Sequence, residues 1–179
     1  MGDWFQIIVD RDAGEDEAPA LAASIRDWLI SEGIIGSEMT DNVLGSDRGY
    51  PPGHNQGKAV DEEVPDLWAN GLDIIIGRSV FDSGAGEISL ICAECGERFQ
   101  LTDAWTEAIG EWHSRRGPGL LSCIRCSHTR TITEWQHDPP WGFGNLGFKF
   151  WNWPCLKESF IEEVSRRLGH RVILVEGKI

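Results

Sequence analysis

Apolar positions recur along the chain with two different periods. Trp4-Phe5-Gln6-Ile7-Ile8-Val9 is an apolar, partly β-branched run followed by acidic residues, and it predicts a first strand. In "DEAPALAASIRDWLISEG" the apolar positions Leu21, Ile25, Trp28 and Leu29 fall at helical spacing. Pro19 stands near the start of that helix and Gly33 just past its end. "LDIIIGRSVF" (72–81) is a nearly unbroken apolar run of the kind a buried strand requires, and "EISLIC" (87–92) is a shorter one. In "LTDAWTEAIGEW" (101–112) the residues Leu101, Ala104, Trp105, Ala108, Ile109 and Trp112 share one helical face, and Thr102 or Asp103 can cap it. "TRTITEW" is strand-like. "NLGFKFWNWP" (145–154) predicts a strand stopped by Pro154. Leu156, Phe160, Val164 and Leu168 mark a last helix closed by Gly169, and "RVILVE" (171–176) is the final strand.

Residues 34–66 show no such period. "GSDRGYPPGHNQGK" is dense in glycine, proline and aspartate, and a connection this long inside a domain is usually functional or mobile. With residues 87–137 set aside, the order is strand, helix, strand, strand, helix, strand. This is the ferredoxin-like pattern, an α+β fold with an antiparallel sheet and two helices on one face. The expected organisation is a single α+β domain over 1–179. A module at 87–137 is inserted between the second and third strands, where a hairpin turn would otherwise stand. No internal repeat is visible.

Composition sharpens this picture at one point. The chain of 179 residues carries a formal charge of −13, and residues 1–91 hold 18 acidic against five basic side chains, essentially the whole imbalance. A field of that sign repels nucleic-acid phosphate and anionic membrane surfaces and attracts a basic protein. No apolar run is long enough to span a bilayer. "MGDWFQIIVDRD" has neither a basic leader nor a cleavable apolar core, so the expected compartment is the cytoplasm, where thiols stay reduced.

Four cysteines carry the clearest chemistry. Cys92-x2-Cys95 and Cys123-x2-Cys126 are separated by 27 residues, and a predicted helix fills the gap. Two such pairs supply the four thiolates of a tetrahedral metal shell. The two-residue spacer turns both sulfurs toward one centre and lets backbone N–H groups donate to them. Gly96 suits the left-handed turn after the second cysteine, whereas Ser127 stands at the matching place in the second pair. On "CAECG" and "CIRC", residues 88–136 resemble the zinc-ribbon modules. That resemblance implies Cys92, Cys95, Cys123 and Cys126 as ligands of one structural Zn²⁺. Iron is the alternative, with zinc favoured because nothing else suggests electron transfer. A shell of four sulfurs leaves no open position for catalysis. His113, His128 and His137 lie nearby and are expected at the surface or in packing.

Other candidates are weaker. "GHNQGKA" (53–59) fails as a phosphate-binding loop, since three residues instead of four separate its glycines and Ala59 follows Lys58. Cys155, ahead of the last helix, has no recognisable His–carboxylate partner and is expected to be packed and inert. Trp135, Trp141, Trp151 and Trp153, with Phe143, Phe148 and Phe150, form either a core or an aromatic surface. The balanced charges of the cysteine segment disfavour nucleic-acid binding.

These observations exclude an evident catalytic constellation and predict a non-enzymatic protein that binds another, basic protein. Small, acidic, aromatic-rich α+β proteins of this kind resemble the immunity proteins with which bacteria neutralise their own toxins. That resemblance implies a contact surface containing Asp41, Asp47, Asp61, Glu62, Glu63 and Asp66. The alternative is a zinc-ribbon regulator contacting nucleic acid or the transcription machinery.

Overall fold

The computed structural model describes residues 2–84 and 86–179. In chain order the elements are β1 (Trp4–Asp10), α1 (Ala18–Ser31), β2 (Leu72–Phe81), β3 (Ser89–Ile91), β4 (Arg98–Gln100), α2 (Asp103–His113), β5 (Leu120–Ser122), β6 (Thr129–Thr131), β7 (Gln136–Asp138), β8 (Gly142–Trp151), α3 (Glu158–Leu168) and β9 (Val172–Lys178). The main sheet has the order β2-β8-β1-β9 and every pairing in it is antiparallel. Counting only these four strands, the spatial order is second, third, first, fourth, which is the ferredoxin-like arrangement the sequence predicts.

Alternation along the central strands decides what each face buries. On one face Ile8, Leu146, Phe148 and Phe150 meet Ala22, Ile25 and Leu29 of α1 and Phe160, Val164 and Leu168 of α3. Full burial of each large side chain contributes about 1.5–3 kcal/mol. Trp28 stacks on Phe160 with ring centroids 6.0 Å apart, which joins the two helices. On the other face Phe5, Ile7, Val9, Phe81, Trp151 and Val175 form a second cluster with Val43. Gly84 bridges Lys178, so the chain crosses this face just after β2.

The 34–66 connection is not a loose excursion. Isolated bridges pin it at Ile35–Pro52, Thr40–Gly49, Tyr50–Leu72 and Val60–Leu156. Ile34, Ile35, Val43, Ala59, Val60 and Val64 are buried. "GHNQGKA" is part of this packing, with the Gly53 N–H donating to the Ile34 carbonyl at 2.8 Å.

Between β2 and β8 the chain builds a three-stranded sheet, β4-β3-β7, and a separate pair, β5-β6. α2 lies between them in sequence. Thr102 is its N-cap, accepting from the Trp105 N–H at 3.3 Å. Leu90, Phe99, Trp105, Ala108, Leu121, Ile132, Trp135 and Phe143 form this region's own apolar cluster. Arg78 of β2 donates to the Trp112 carbonyl at 3.0 Å, and Glu15 pairs with both Arg78 and Arg115.

Three expectations need correction. β8 begins at Gly142 and ends at Trp151, before Asn152 with φ of 55°, so Pro154 is not what stops it. "TRTITEW" is a strand only over Thr129–Thr131 and then a 3-10 turn. The aromatic residues do not form one cluster. Trp135, Trp141 and Phe143 pack in the inserted region, Phe148, Phe150 and Trp153 under the helices, and Trp151 on the opposite face.

Candidate metal centre

Each cysteine pair sits in a tight turn between two short strands. Cys92 and Cys95 lie between β3 and β4, and Cys123 and Cys126 between β5 and β6. The two turns repeat the same backbone bonds. The Cys92 N–H donates to the Glu97 carbonyl at 2.9 Å and the Gly96 N–H to the Cys92 carbonyl at 2.9 Å. In the second turn the Cys123 N–H donates to the His128 carbonyl at 2.8 Å and the Ser127 N–H to the Cys123 carbonyl at 3.0 Å. Gly96 takes φ of 71° and Ser127 φ of 59°, so serine adopts the left-handed conformation that the turn imposes.

These turns bring the four sulfurs of Cys92, Cys95, Cys123 and Cys126 within 4.8 Å of one another. Cys92 Sγ lies 3.8 Å from Cys126 Sγ, and Cys95 Sγ 3.7 Å from Cys123 Sγ. A regular tetrahedron with metal–sulfur bonds of about 2.3 Å has sulfur–sulfur edges of about 3.8 Å. The donor set can therefore hold a metal ion with little rearrangement. The Arg125 N–H points at Cys123 Sγ from 3.4 Å. Donation from the Cys126 N–H and then the Arg125 N–H holds the Cys123 thiol below its ordinary pKa. At Cys95 and Cys126 backbone donation is outweighed by burial and the neighbouring sulfurs, which push the thiols up, so within the cluster the thiolate is favoured at Cys123. Cys92 and Cys123 are buried and Cys126 is exposed, so one side of the cluster faces solvent.

Charged side chains clamp the two turns together. Arg125 of the second pairs with Glu97 of the first at 2.9 Å, and Arg130 pairs with Glu94. His128 Nε2 lies 3.6 Å from the same Glu94 carboxylate. Sequence reasoning counted these residues only as a charge balance, because the partners are far apart along the chain.

None of the three nearby histidines joins the cluster. His113 and His128 are exposed. His137 is buried at 4% exposure, its Nε2 accepting from Trp105 Nε1 at 3.1 Å and its Nδ1 donating to the Trp135 carbonyl at 3.1 Å. An indole N–H only donates and a carbonyl only accepts, so the ring is the neutral Nδ1–H tautomer. Burial pushes its pKa down to about 4.

The six carboxylates expected at a contact surface, Asp41, Asp47, Asp61, Glu62, Glu63 and Asp66, are all exposed. Asp61 pairs with Lys157 at 3.1 Å, and the other five have no ion-pair partner among the described residues. The structure divides them. Asp41 and Asp47 lie near the Thr40–Gly49 bridge, and the other four lie on the single stretch 61–66. Directly after that stretch come Leu67 and Trp68, 41% and 62% exposed. Cys155 is exposed, which corrects the expectation of a packed thiol. It lines a cleft of about 430 Å³ with Trp4, Gln6, Asp61, Glu62 and Glu176.

Comparison of the chain with family models, with characterised proteins and with solved structures finds no match. No helix among the described residues is long and apolar enough to cross a membrane.

Proposed function

We propose that this is a non-enzymatic adaptor that binds a basic protein, with one structural Zn²⁺ held by Cys92, Cys95, Cys123 and Cys126. The observation that carries the binding reading is Trp68. A large aromatic side chain stands 62% exposed beside Leu67, at the end of a stretch carrying Asp61, Glu62, Glu63 and Asp66. An apolar anchor rimmed by charge is the pattern of an interface hot spot, and aromatic side chains dominate such spots. The carboxylates steer a cationic partner and speed its capture. Neutralisation of a basic toxin is the task such a surface fits. The zinc is assigned a structural role because four sulfur ligands fill its shell.

The experiment is affinity capture from the native host with the wild-type chain, Trp68→Ser and the double variant Glu62→Lys/Glu63→Lys, each checked for stoichiometric zinc by elemental analysis. The expected result is a basic protein retained by the wild type and lost from both variants. Identical capture by all three would refute the acidic contact surface. Tight, strongly salt-dependent retention of nucleic acid would instead favour a zinc-ribbon regulator.

A further inference from the structure

A sheet open at both sides presents two rows of backbone donors and acceptors, and this fold treats its two edges differently. Asp3–Ile179 and Arg11–Arg171 hydrogen bonds flank the β1–β9 ladder. In an antiparallel pair the bonded residues alternate, so the odd-numbered residues of β9 bond to β1. The N–H and C=O groups of Val172, Leu174 and Glu176 therefore point outward, and none has a backbone partner among the described residues. Lys178, the next outward position, is bridged by Gly84, so the open stretch runs from Val172 to Glu176. The opposite edge, β2, is blunted by the Tyr50–Leu72 bridge at its start and by an irregularity between Ile76 and Ser79. β9 has no proline and no register shift, and Val172, Ile173 and Leu174 are only half-buried. Native proteins usually blunt such an edge with charge, proline or a bulge.

Charge selects the occupant. Glu176 is an outward-bonding position of β9 and also lines the cleft that holds Asp61 and Glu62. Of the nearby cations, Lys178 on the same strand has no ion-pair partner among the described residues, Lys157 is taken by Asp61, and those at the other end of β9 are already engaged. Arg171 pairs with Asp12 at 2.6 Å and His170 with the buried Asp10 at 2.9 Å. A residue opposite Glu176 on an added strand would project on the same side as the Glu176 side chain, where a cation meets opposite charge.

We propose that the open stretch Val172–Glu176 of β9 takes up an extended, lysine- or arginine-bearing segment of the basic partner as a fifth strand, with one cationic side chain between Glu176 and the Glu62 carboxylate. This rests on the reading of the chain as a binder of a basic protein and adds the mode of binding. Main-chain bonds supply affinity and the acidic cleft supplies selectivity.

The test uses the full zinc-loaded chain and two blocked nine-residue peptides, one alternating valine with lysine and the other valine with glutamate. The lysine peptide is expected to bind and to slow exchange of the Val172, Leu174 and Glu176 amides, and the glutamate peptide to do neither. In Leu174→Pro the missing N–H is one that points away from β1, so the fold is retained while binding weakens at least about tenfold. Should that variant lose β1 and β8 amide protection, Glu176→Lys replaces it, with the same loss expected. Equal binding by the variants, equal binding of both peptides, binding of neither, or unchanged exchange on β9 overturns the proposal. So does a wild-type dimer whose β9 amides are protected without peptide, because a second copy would then be the occupant. If host-protein capture still depends on Trp68 and Glu62 in these cases, the basic-partner reading stands and only strand addition fails.

Discussion

Ser127 and Gly96 occupy the same position in two turns of the same shape, with φ of 59° and 71°. A left-handed conformation costs an L-residue about 1–2 kcal/mol, and glycine gives back about 0.5–1 kcal/mol through its larger unfolded entropy. Ser127→Gly is therefore expected to stabilise the second turn by about 0.5 kcal/mol net. A thermal melt of the zinc-loaded protein reads this, and a lower midpoint would contradict it. His137 gives a second test at this scale. Its folded pKa of about 4 lies below the unfolded value near 6.5, so the unfolded chain takes up the proton first. The stability from the neutral ring is complete above pH 6.5 and is lost as pH falls toward 4, by about 3 kcal/mol in all. Ring-nitrogen NMR isolates this group from acid release of the metal. An imidazole titrating near 6.5 would refute the buried Nδ1–H tautomer. His170 acts in the opposite sense. Its hydrogen bond to Asp10 raises its pKa, so its contribution is present below pH 6.5 and fades as pH rises through the raised value.

The strands that frame the cysteines, β3, β4, β5 and β6, are three residues each. Strand pairs this short are not stable alone. Their apolar cluster includes Cys92 and Cys123, while the helix-covered cluster around Ile8, Phe148 and Leu146 includes no cysteine. Metal removal, or Cys123→Ser, is expected to abolish amide protection over 88–136 and to leave β1 and β8 protected. A structural zinc site supplies on the order of 10 kcal/mol of apparent binding free energy, more than these strands can replace. Unchanged protection over 88–136 after chelation would refute a structural role for the metal. The same brevity explains what the sequence leaves unread. β4, β5 and β7 are too short to show a period, whereas the ten residues of β2 and the four apolar positions of α3 are legible directly. The start of β8 is hidden because Gly142 and Gly144 read as a turn. They are strand residues lying against β1, where a Cβ at Gly142 would come within 2.8 Å of Val9. Cysteine spacing exposes the candidate metal centre at Cys92, Cys95, Cys123 and Cys126 from sequence alone. The acidic cleft is not legible in that way, because sheet register carries Glu176 opposite Gln6 and a bridge from Val60 to Leu156 brings in Asp61 and Glu62.

At the scale of the whole chain, charge and fold are divided unequally. Residues 1–91 hold 18 acidic against five basic side chains, and they supply β1, α1, the long connection, β2 and, at their very end, β3. Residues 92–137 hold six acidic and five basic side chains and are tied by short-range pairs such as Arg125–Glu97 and Arg130–Glu94. Self-repulsion therefore burdens the main sheet far more than the cysteine-bearing region. Salt screens charges separated by more than the Debye length, which falls from about 30 Å at 0.01 M to about 3 Å at 1 M. Raising sodium chloride over that range is expected to increase protection of β1 and β8 amides and to leave β3 through β6 nearly unchanged. Exposed ion pairs are screened by water and contribute little, so weakening Arg171–Asp12 or Arg166–Glu163 does not offset the relief of so large a like-charge excess. The gain should be smaller with the Glu62→Lys/Glu63→Lys variant, whose excess is reduced by four charges. A sheet that loses protection with salt would mean that the local pairs outweigh the field. The acidic half would then be a set of compensated contacts with little reach toward a basic partner.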